Sequence, residues 1–216
     1  MKVNLTATTS AQVPGAFLTA EELIGYIARV SNPSNQLNMD TVPKLIKYCI
    51  KNKHWSPFEH AHMTLEIETS RGIAAQILRH RSFTFQEFSQ RYSEVTEFET
   101  YEARRQDTKN RQNSINDMSP EDNQWFYDTQ QIVNESSYTY YQQALQKGIA
   151  KEQARFLLPL STQTTLYMTG SVRSWIHYIE LRTDPSTQLE HREIAEACKG
   201  IFVGQFPNIA AALEWS

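Results

Sequence analysis

The chain has 216 residues, 40% of them hydrophobic and 21% charged, with a formal net charge of −3. This is the composition of a soluble globular protein with enough chain for a substantial core, and its mild acidity argues against general nucleic-acid binding, which goes with a basic surplus. Two cysteines, Cys49 and Cys198, are too few for a disulfide framework, no apolar run reaches transmembrane length, and the stretch Met1–Thr6 lacks the apolar core of a secretory signal, so a cytoplasmic protein is expected.

In chain order, residues 2–8 read as a short strand. Thr19-Ala-Glu-Glu22 is a capping box that opens a helix running to about Val30, and a second helix is expected over 40–52. Met63, Leu65 and Ile67 alternate with polar residues, as in a half-buried strand. Gly72 precedes a helix with Ile73, Ala74, Ile77 and Leu78 on its buried side; Gln76, Arg79 and His80, three and four apart, share another side. Residues 94–118 are polar and read as extended chain followed by a mobile loop. Ser119-Pro120 opens a long helix ending near Gly148, a shorter one covers 150–158 and stops before Pro159, and 164–169 is a strand. Helices over 171–182, with Val172, Trp175, Ile176 and Ile179 inward, and over 187–204 complete the pattern. No linker or repeat divides the chain, so the expectation is a helix-rich α+β single domain, residues 1–216, around a small, mostly antiparallel sheet.

The stretch from Arg79 to Arg91 carries the most chemical information. Arg79, His80, Arg81 and Arg91 are cationic or potentially so, and Ser82, Thr84, Glu87 and Ser89 alternate with Phe83, Phe85 and Phe88. Arginine forks grip phosphate oxygens in pairs, and phenylalanine offers a flat face to a ring. That mixture suits a ligand that is both phosphorylated and aromatic, such as a nucleotide or a dinucleotide cofactor. The plainer alternatives are a cationic cluster answering a helix dipole and phenylalanines that belong to the core. The ordered spacing through Arg91 favours the ligand for the cations, whereas aromatic residues at this spacing more often belong to the core.

The same spacing resembles the signature of the flavin-dependent thymidylate synthases, Arg-His-Arg, seven residues, then Ser, which Arg79, His80, Arg81 and Ser89 fill. Glu87, Arg91 and Tyr92 match the longer family pattern; Thr84 replaces its usual serine and Gln86 its usual asparagine, keeping hydroxyl and amide. Three further segments resemble the family in the same order: His54-Trp-Ser-Pro-Phe-Glu-His60, Ala154-Arg-Phe-Leu-Leu-Pro159, and Ser171-Val-Arg-Ser174 continuing to Leu181-Arg182. The last departs at Ser171, where asparagine is usual, and His177 stands where asparagine or histidine occurs.

The resemblance implies a homotetramer with active sites shared between subunits, binding FAD, drawing reducing equivalents from NADPH and methylating dUMP with methylenetetrahydrofolate. Carried over by position, Arg79, His80, Arg81, Ser56, Glu87, Arg173 and His177 would hold FAD, with Ser171 and Ser31 as further candidates. Gln76, Arg79, Glu87, Phe88, Ser89, Gln90, Arg91 and Arg155 would surround dUMP, and Arg182 would be the catalytic group at the uracil ring. The residue types suit these roles. Arg91 and Arg155 can meet a nucleotide phosphate by bidentate bonds, and a guanidinium at position 182 stabilises negative charge on uracil without giving up a proton. Ser89 has no His-acid relay beside it in the sequence, so it reads as a binding group rather than a nucleophile. Neither cysteine lies in a matching segment, which weighs against the unrelated thymidylate synthases that attack uracil through a cysteine.

Two other functions compete. His54, His60 and His62 could ligate zinc, although no cysteine completes the set, and no metal is expected. Arginines interleaved with phenylalanines could also form a single-stranded nucleic-acid platform; a protein without nucleic-acid or membrane partners is preferred. Arg155 could be only a snorkelling helix residue, and Arg182 only an exposed cation at a helix end.

Overall fold

The computed structural model describes residues 1–215. In chain order its elements are β1 (Lys2–Thr8), a hairpin of β2 (Ser10–Val13) and β3 (Ala16–Thr19), α1 (Ala20–Ala28), α2 (Val42–Lys51), β4 (His62–Ser70), α3 (Arg71–Ile77), β5 (Thr84–Glu87), a short ribbon of β6 (Arg105–Gln106) and β7 (Ser114–Ile115), α4 (Pro120–Gln146), α5 (Lys151–Ala154), β8 (Gln163–Ser171), α6 (Val172–Arg182), α7 (Leu189–Gln205) and α8 (Pro207–Ala212). The central sheet has the order β1-β4-β8-β5, every pair antiparallel.

Period-two alternation decides which face of that sheet is dry. Leu65 lies opposite Met168 and Ile67 opposite Leu166, and all four side chains are fully buried. Helices cover this face. Trp175 of α6 is buried against it, and its indole N–H donates to the Met63 carbonyl at 2.9 Å, so the largest core side chain leaves no polar atom unpaired. The other face is polar: the Thr64 and Thr169 hydroxyls lie 2.9 Å apart, and the Tyr167 hydroxyl donates to Glu66 at 2.5 Å. One apolar cluster joins residues of α1, α2, the sheet, α3, α6, α7 and α8; a small second cluster of Tyr141, Ala144 and Ala154 holds α5 to α4.

The architecture is the expected α+β arrangement, with instructive differences. Residues 10–19 form a hairpin turning at Gly15, whose φ of 85° favours glycine. Within the signature, Thr84–Glu87 form a strand that the sequence pattern did not mark, paired with β8 at the sheet edge. Four residues with one half-exposed face are too short a signal to read from alternation. The 94–118 segment is tied down at Phe98, which bridges to Thr162, and at the β6–β7 ribbon. The expected helix over 150–158 is a single turn, α5, followed by a 3₁₀ turn at Arg155–Leu157. Helix α3 ends at Ile77, so His80 turns inward and is buried while Arg79 stays exposed; the two do not share a side.

Candidate functional site

Residues from three separated segments meet at the start of α6. Ser171 is its N-cap: the Ser171 hydroxyl accepts from the Ser174 amide at 3.2 Å and donates to Glu59 Oε2 at 2.5 Å. Glu59 also pairs with Arg173 at 2.9 Å, and the Ser174 hydroxyl donates to the Ser82 carbonyl at 3.3 Å. The Pro57–Glu59 turn, the first residues after Arg81 and the first turn of α6 are therefore fastened together. Beside them opens a cleft of about 460 Å³ lined by Trp55, Glu59, Ser82, Arg173, Ile176 and His177, among others. Ser56 is exposed at the first position of its 3₁₀ turn, and Ser31 is exposed just beyond α1. Ser171 is buried with its hydroxyl spent on the cap and on Glu59.

A second group forms where α3 and α6 end. Arg182 donates from Nε to His80 Nε2 at 2.9 Å, and among the described residues its two terminal nitrogens have no partner. Burial, then the Arg182, His177 and Arg79 charges, push the His80 pKa down from 6.5 to about 4. The imidazole is thus neutral near pH 7 with a lone pair for Arg182, while its ring packs edge-on to Tyr178 at 4.9 Å. Gln76 lies here too, donating to Gln188 at 2.6 Å and facing His191 at 3.3 Å.

This geometry predicts an acid-sensitive fold. His80 and His191 both titrate low, His191 at about 3 through burial and the Arg182 and His80 charges. The unfolded chain takes up these protons first, near 6.5. The stability held by the neutral rings is therefore complete above about 6.5 and lost as pH falls toward about 4. Each histidine contributes a slope of up to about 1.4 kcal/mol per pH unit. Melting curves between pH 7 and 5 should show this fall, and His80→Gln should flatten it; an unchanged midpoint over that range would refute the assignment.

The remaining expected residues form a third group around β5. Arg71 donates to Glu87 Oε1 at 2.7 Å, and the Thr164 hydroxyl donates to the same oxygen at 3.1 Å. Phe88 is half-buried and hydrogen-bonded to the Thr165 carbonyl through its amide. Ser89 accepts from the Arg91 amide at 3.4 Å, Arg91 pairs with Glu152 at 3.3 Å, and Arg155 donates to the Glu152 carbonyl at 3.2 Å while stacking on Phe156. Gln90 and Arg155 line a cleft of about 350 Å³ with Arg71 and Thr162. Among the described residues no hydrogen bond joins this group to the Gln76–His80–Arg182 group.

Sequence reasoning did not single out Arg71, Thr164, Gln188, Glu190 or His191, which hold the expected residues in place. Short motifs had no pattern for them. Of the phenylalanines, Phe83 belongs to the core, edge-on to Trp175 at 4.9 Å, while Phe85 and Phe88 remain half-exposed. The nucleic-acid reading loses that part of its stacking surface. Among the described residues no group of three His, Cys, Asp or Glu could hold a metal, and His54 packs edge-on to Tyr48 at 5.7 Å. Both cysteines are buried, and burial raises both thiol pKa values.

The comparisons with known proteins agree with this geometry. The thymidylate synthase complementing protein family matches residues 16–208. A probable flavin-dependent thymidylate synthase of Paramecium bursaria Chlorella virus 1 is 58% identical over 216 residues, spanning 100% of both chains. A flavin-dependent thymidylate synthase of Synechocystis sp. is 59% identical over 203 residues, 94% of each chain. Among solved structures, the UMP/dUMP methylase PolB of Streptomyces cacaoi, bound with 5-Br dUMP, superimposes with a TM-score of 0.85 at 26% identity, covering 99% of this chain and 94% of that one. With a family match across most of its length and relatives of this identity, the chain belongs to the flavin-dependent thymidylate synthase family.

Proposed function

We infer that this enzyme carries out the reductive methylation of dUMP to dTMP, with FAD as cofactor, methylenetetrahydrofolate as carbon donor and NADPH as reductant. The observation that carries the reading is the Arg182–His80 pair. A guanidinium oriented through Nε by a buried neutral imidazole keeps both terminal nitrogens for a ligand. Such a group meets charge developing on a pyrimidine ring without reorganising.

The donor set fits FAD. Arg79 and Arg81 are exposed on the run that leads into Ser82, a lining residue of the 460 Å³ cleft, and have no carboxylate partner among the described residues, so they are available to diphosphate oxygens. Trp55, Ile176 and His177 supply ring-sized surface, and Arg173 joins the phosphate contacts once Glu59 releases it. When bound, FAD supplies the redox chemistry, passing on reducing equivalents taken from NADPH. Ser56 and Ser31 remain hydroxyl candidates at its edge; Ser171 acts by shaping the first turn of α6, and Glu87 by its position next to Arg71. For dUMP, Gln76, Arg79 and Arg182 would face the base, while Ser89, Gln90, Arg91 and Arg155, with Glu87 and Phe88 behind them, would face the sugar and phosphate.

Two separate half-sites in one chain support an active site completed by a second copy. Helix α4 supports it too: of its 27 residues only Asn134, Tyr141 and Ala144 are buried, while Trp125, Ile132, Val133 and Tyr140 are exposed. Such a helix needs a partner surface, and a homotetramer of this chain is the proposed one. A single domain over 1–216 is supported by the one main core cluster. No described helix is long and apolar enough to cross a membrane, and the cytoplasm is the proposed compartment.

The reading is tested by an FAD-supplemented assay for dTMP formation from dUMP, methylenetetrahydrofolate and NADPH; absence of dTMP with FAD bound would overturn it. Arg81→Ala is expected to weaken FAD retention about tenfold or more, the loss of one charge-assisted contact. Flavin absorbance per chain after gel filtration measures this, and full retention would count against a cofactor role for Arg81.

A further inference from the structure

Gln76 is gripped by side chains that no motif marks. Its Nε2 donates to Gln188 Oε1 at 2.6 Å, and Gln188 Nε2 donates to Glu190 Oε2 at 2.9 Å. Glu190 Oε1 accepts from Arg104 Nη2 at 2.5 Å. On its other side, Gln76 Oε1 lies 3.3 Å from Nδ1 of the fully buried His191, whose Nε2 is 3.1 Å from the Tyr178 hydroxyl. Gln188 occupies the N-cap position of α7 and makes no side-chain cap, so its amide serves this chain of bonds instead of the helix.

A glutamine amide can turn over about its last bond, exchanging donor for acceptor with little change in shape. Here the Arg104–Glu190 end forbids the exchange. Arg104 only donates and the Glu190 carboxylate only accepts, so Gln188 must offer nitrogen to Glu190 and oxygen to Gln76. Gln76 must then answer with nitrogen and point its oxygen at His191. The Nδ1 hydrogen meets that oxygen when the bare Nε2 accepts from Tyr178. The bonds then all donate toward Glu190, from Tyr178 through His191, Gln76 and Gln188 on one side and from Arg104 on the other.

We propose that Gln188, Glu190 and His191 are positioning residues that fix the amide polarity of Gln76 toward the nucleotide base, which rests on the reading that Gln76 contacts dUMP. The second Nε2 hydrogen and the second Oε1 lone pair of Gln76 are then presented in a fixed order. A pyrimidine edge alternates carbonyl acceptors with an N–H donor, so a ring held in place by its sugar and phosphate accepts only one such order at a given pair of atoms. A reversed amide sets donor against donor. Arg104, the outer anchor, comes from the segment ahead of β6, so base recognition depends on how that segment is held.

The test is calorimetric titration of the FAD-loaded enzyme with dUMP, together with steady-state kinetics. Gln188 is exposed, so Gln188→Met should keep the melting temperature and kcat while raising the dUMP Kd and KM about five- to tenfold, the worth of one neutral hydrogen bond. Gln76→Met should weaken dUMP at least as much. Combining Gln188→Glu with Glu190→Gln should restore affinity: a carboxylate at 188 still only accepts from Gln76, and an amide at 190 can donate to it and accept from Arg104. Gln188→Glu alone should weaken dUMP by setting two carboxylates together, whereas a space-filling role predicts normal affinity in that single variant, since Glu and Gln have the same shape. Normal affinity in Gln188→Met alongside an impaired Gln76→Met would overturn the positioning role, and failure of the double variant would overturn the polarity argument. An unimpaired Gln76→Met would overturn the placement of Gln76 at the base.

Discussion

Replacing Arg182 by alanine is expected to leave FAD absorbance largely intact and to lower dTMP formation by a hundredfold or more, about the loss that follows removal of one preorganised electrostatic contact to a developing charge. Arg182 lies at the end of α6 and, unlike Arg173 and His177, is not among the residues that line the cleft proposed for the flavin. The substitution also removes the donor on His80 Nε2 and one of the charges that depress its pKa, so the His80 pKa should rise from about 4 in the variant. Arg182→Lys should recover little, because one ammonium cannot donate to His80 and present a planar fork to the ligand at once. The assay is dTMP formation alongside the flavin spectrum and an NMR titration of His80. Full turnover by Arg182→Ala would refute its catalytic assignment, and coincident loss of flavin would move Arg182 into the cofactor site.

The second large effect is expected at Gly170, the residue before the Ser171 cap of α6. A Cβ there would lie 2.4 Å from a Phe83 ring carbon. Phe83 has nowhere to retreat, being edge-on to Trp175 at 4.9 Å and to Tyr178 at 5.8 Å in the core. Gly170→Ala should therefore cost about 1–3 kcal/mol by overpacking and lower the melting temperature by roughly 3–10 °C. It should also loosen FAD, because Phe83 anchors the backbone that carries Arg81 and Ser82. Gly200→Ala is the control: it lies within α7 with nothing within 4 Å of a new Cβ, so the greater helix propensity of alanine should leave stability equal or slightly raised. A Gly170→Ala protein with unchanged melting temperature and flavin content would show that Phe83 does not hold the signature in place.

Stability and function converge on Phe83 because the same residues serve both. The signature reads as a ligand-binding run, yet every second or third side chain in it is structural. His80, Phe83 and Gln90 are buried, Glu87 is held by Arg71 and Thr164, and the exposed cations are Arg79, Arg81 and Arg91. Charged side chains exposed beside an ordered backbone are what a phosphate ligand needs, since they are fixed at the root and free at the tip.

The sequence by itself determined the elements whose signals are local. The Thr19 capping box, the Ser119-Pro120 start of α4, the alternation of Met63, Leu65 and Ile67, and the inward stripe of α6 all appear as read, because each is set by bonds or contacts within a few residues. Motif order likewise sufficed to gather Arg79, His80, Arg81, Arg173, His177 and Arg182 as one set. Only the tertiary structure decided which of them touch. That Arg182 binds His80 rather than solvent, that Thr84–Glu87 become an edge strand, and that Gln76 is locked by Gln188 and His191 are contacts between residues far apart in the chain. Such pairings depend on how helices and strands cross. Periodicity reports which face of an element is apolar, but not which polar group on another element that face will meet.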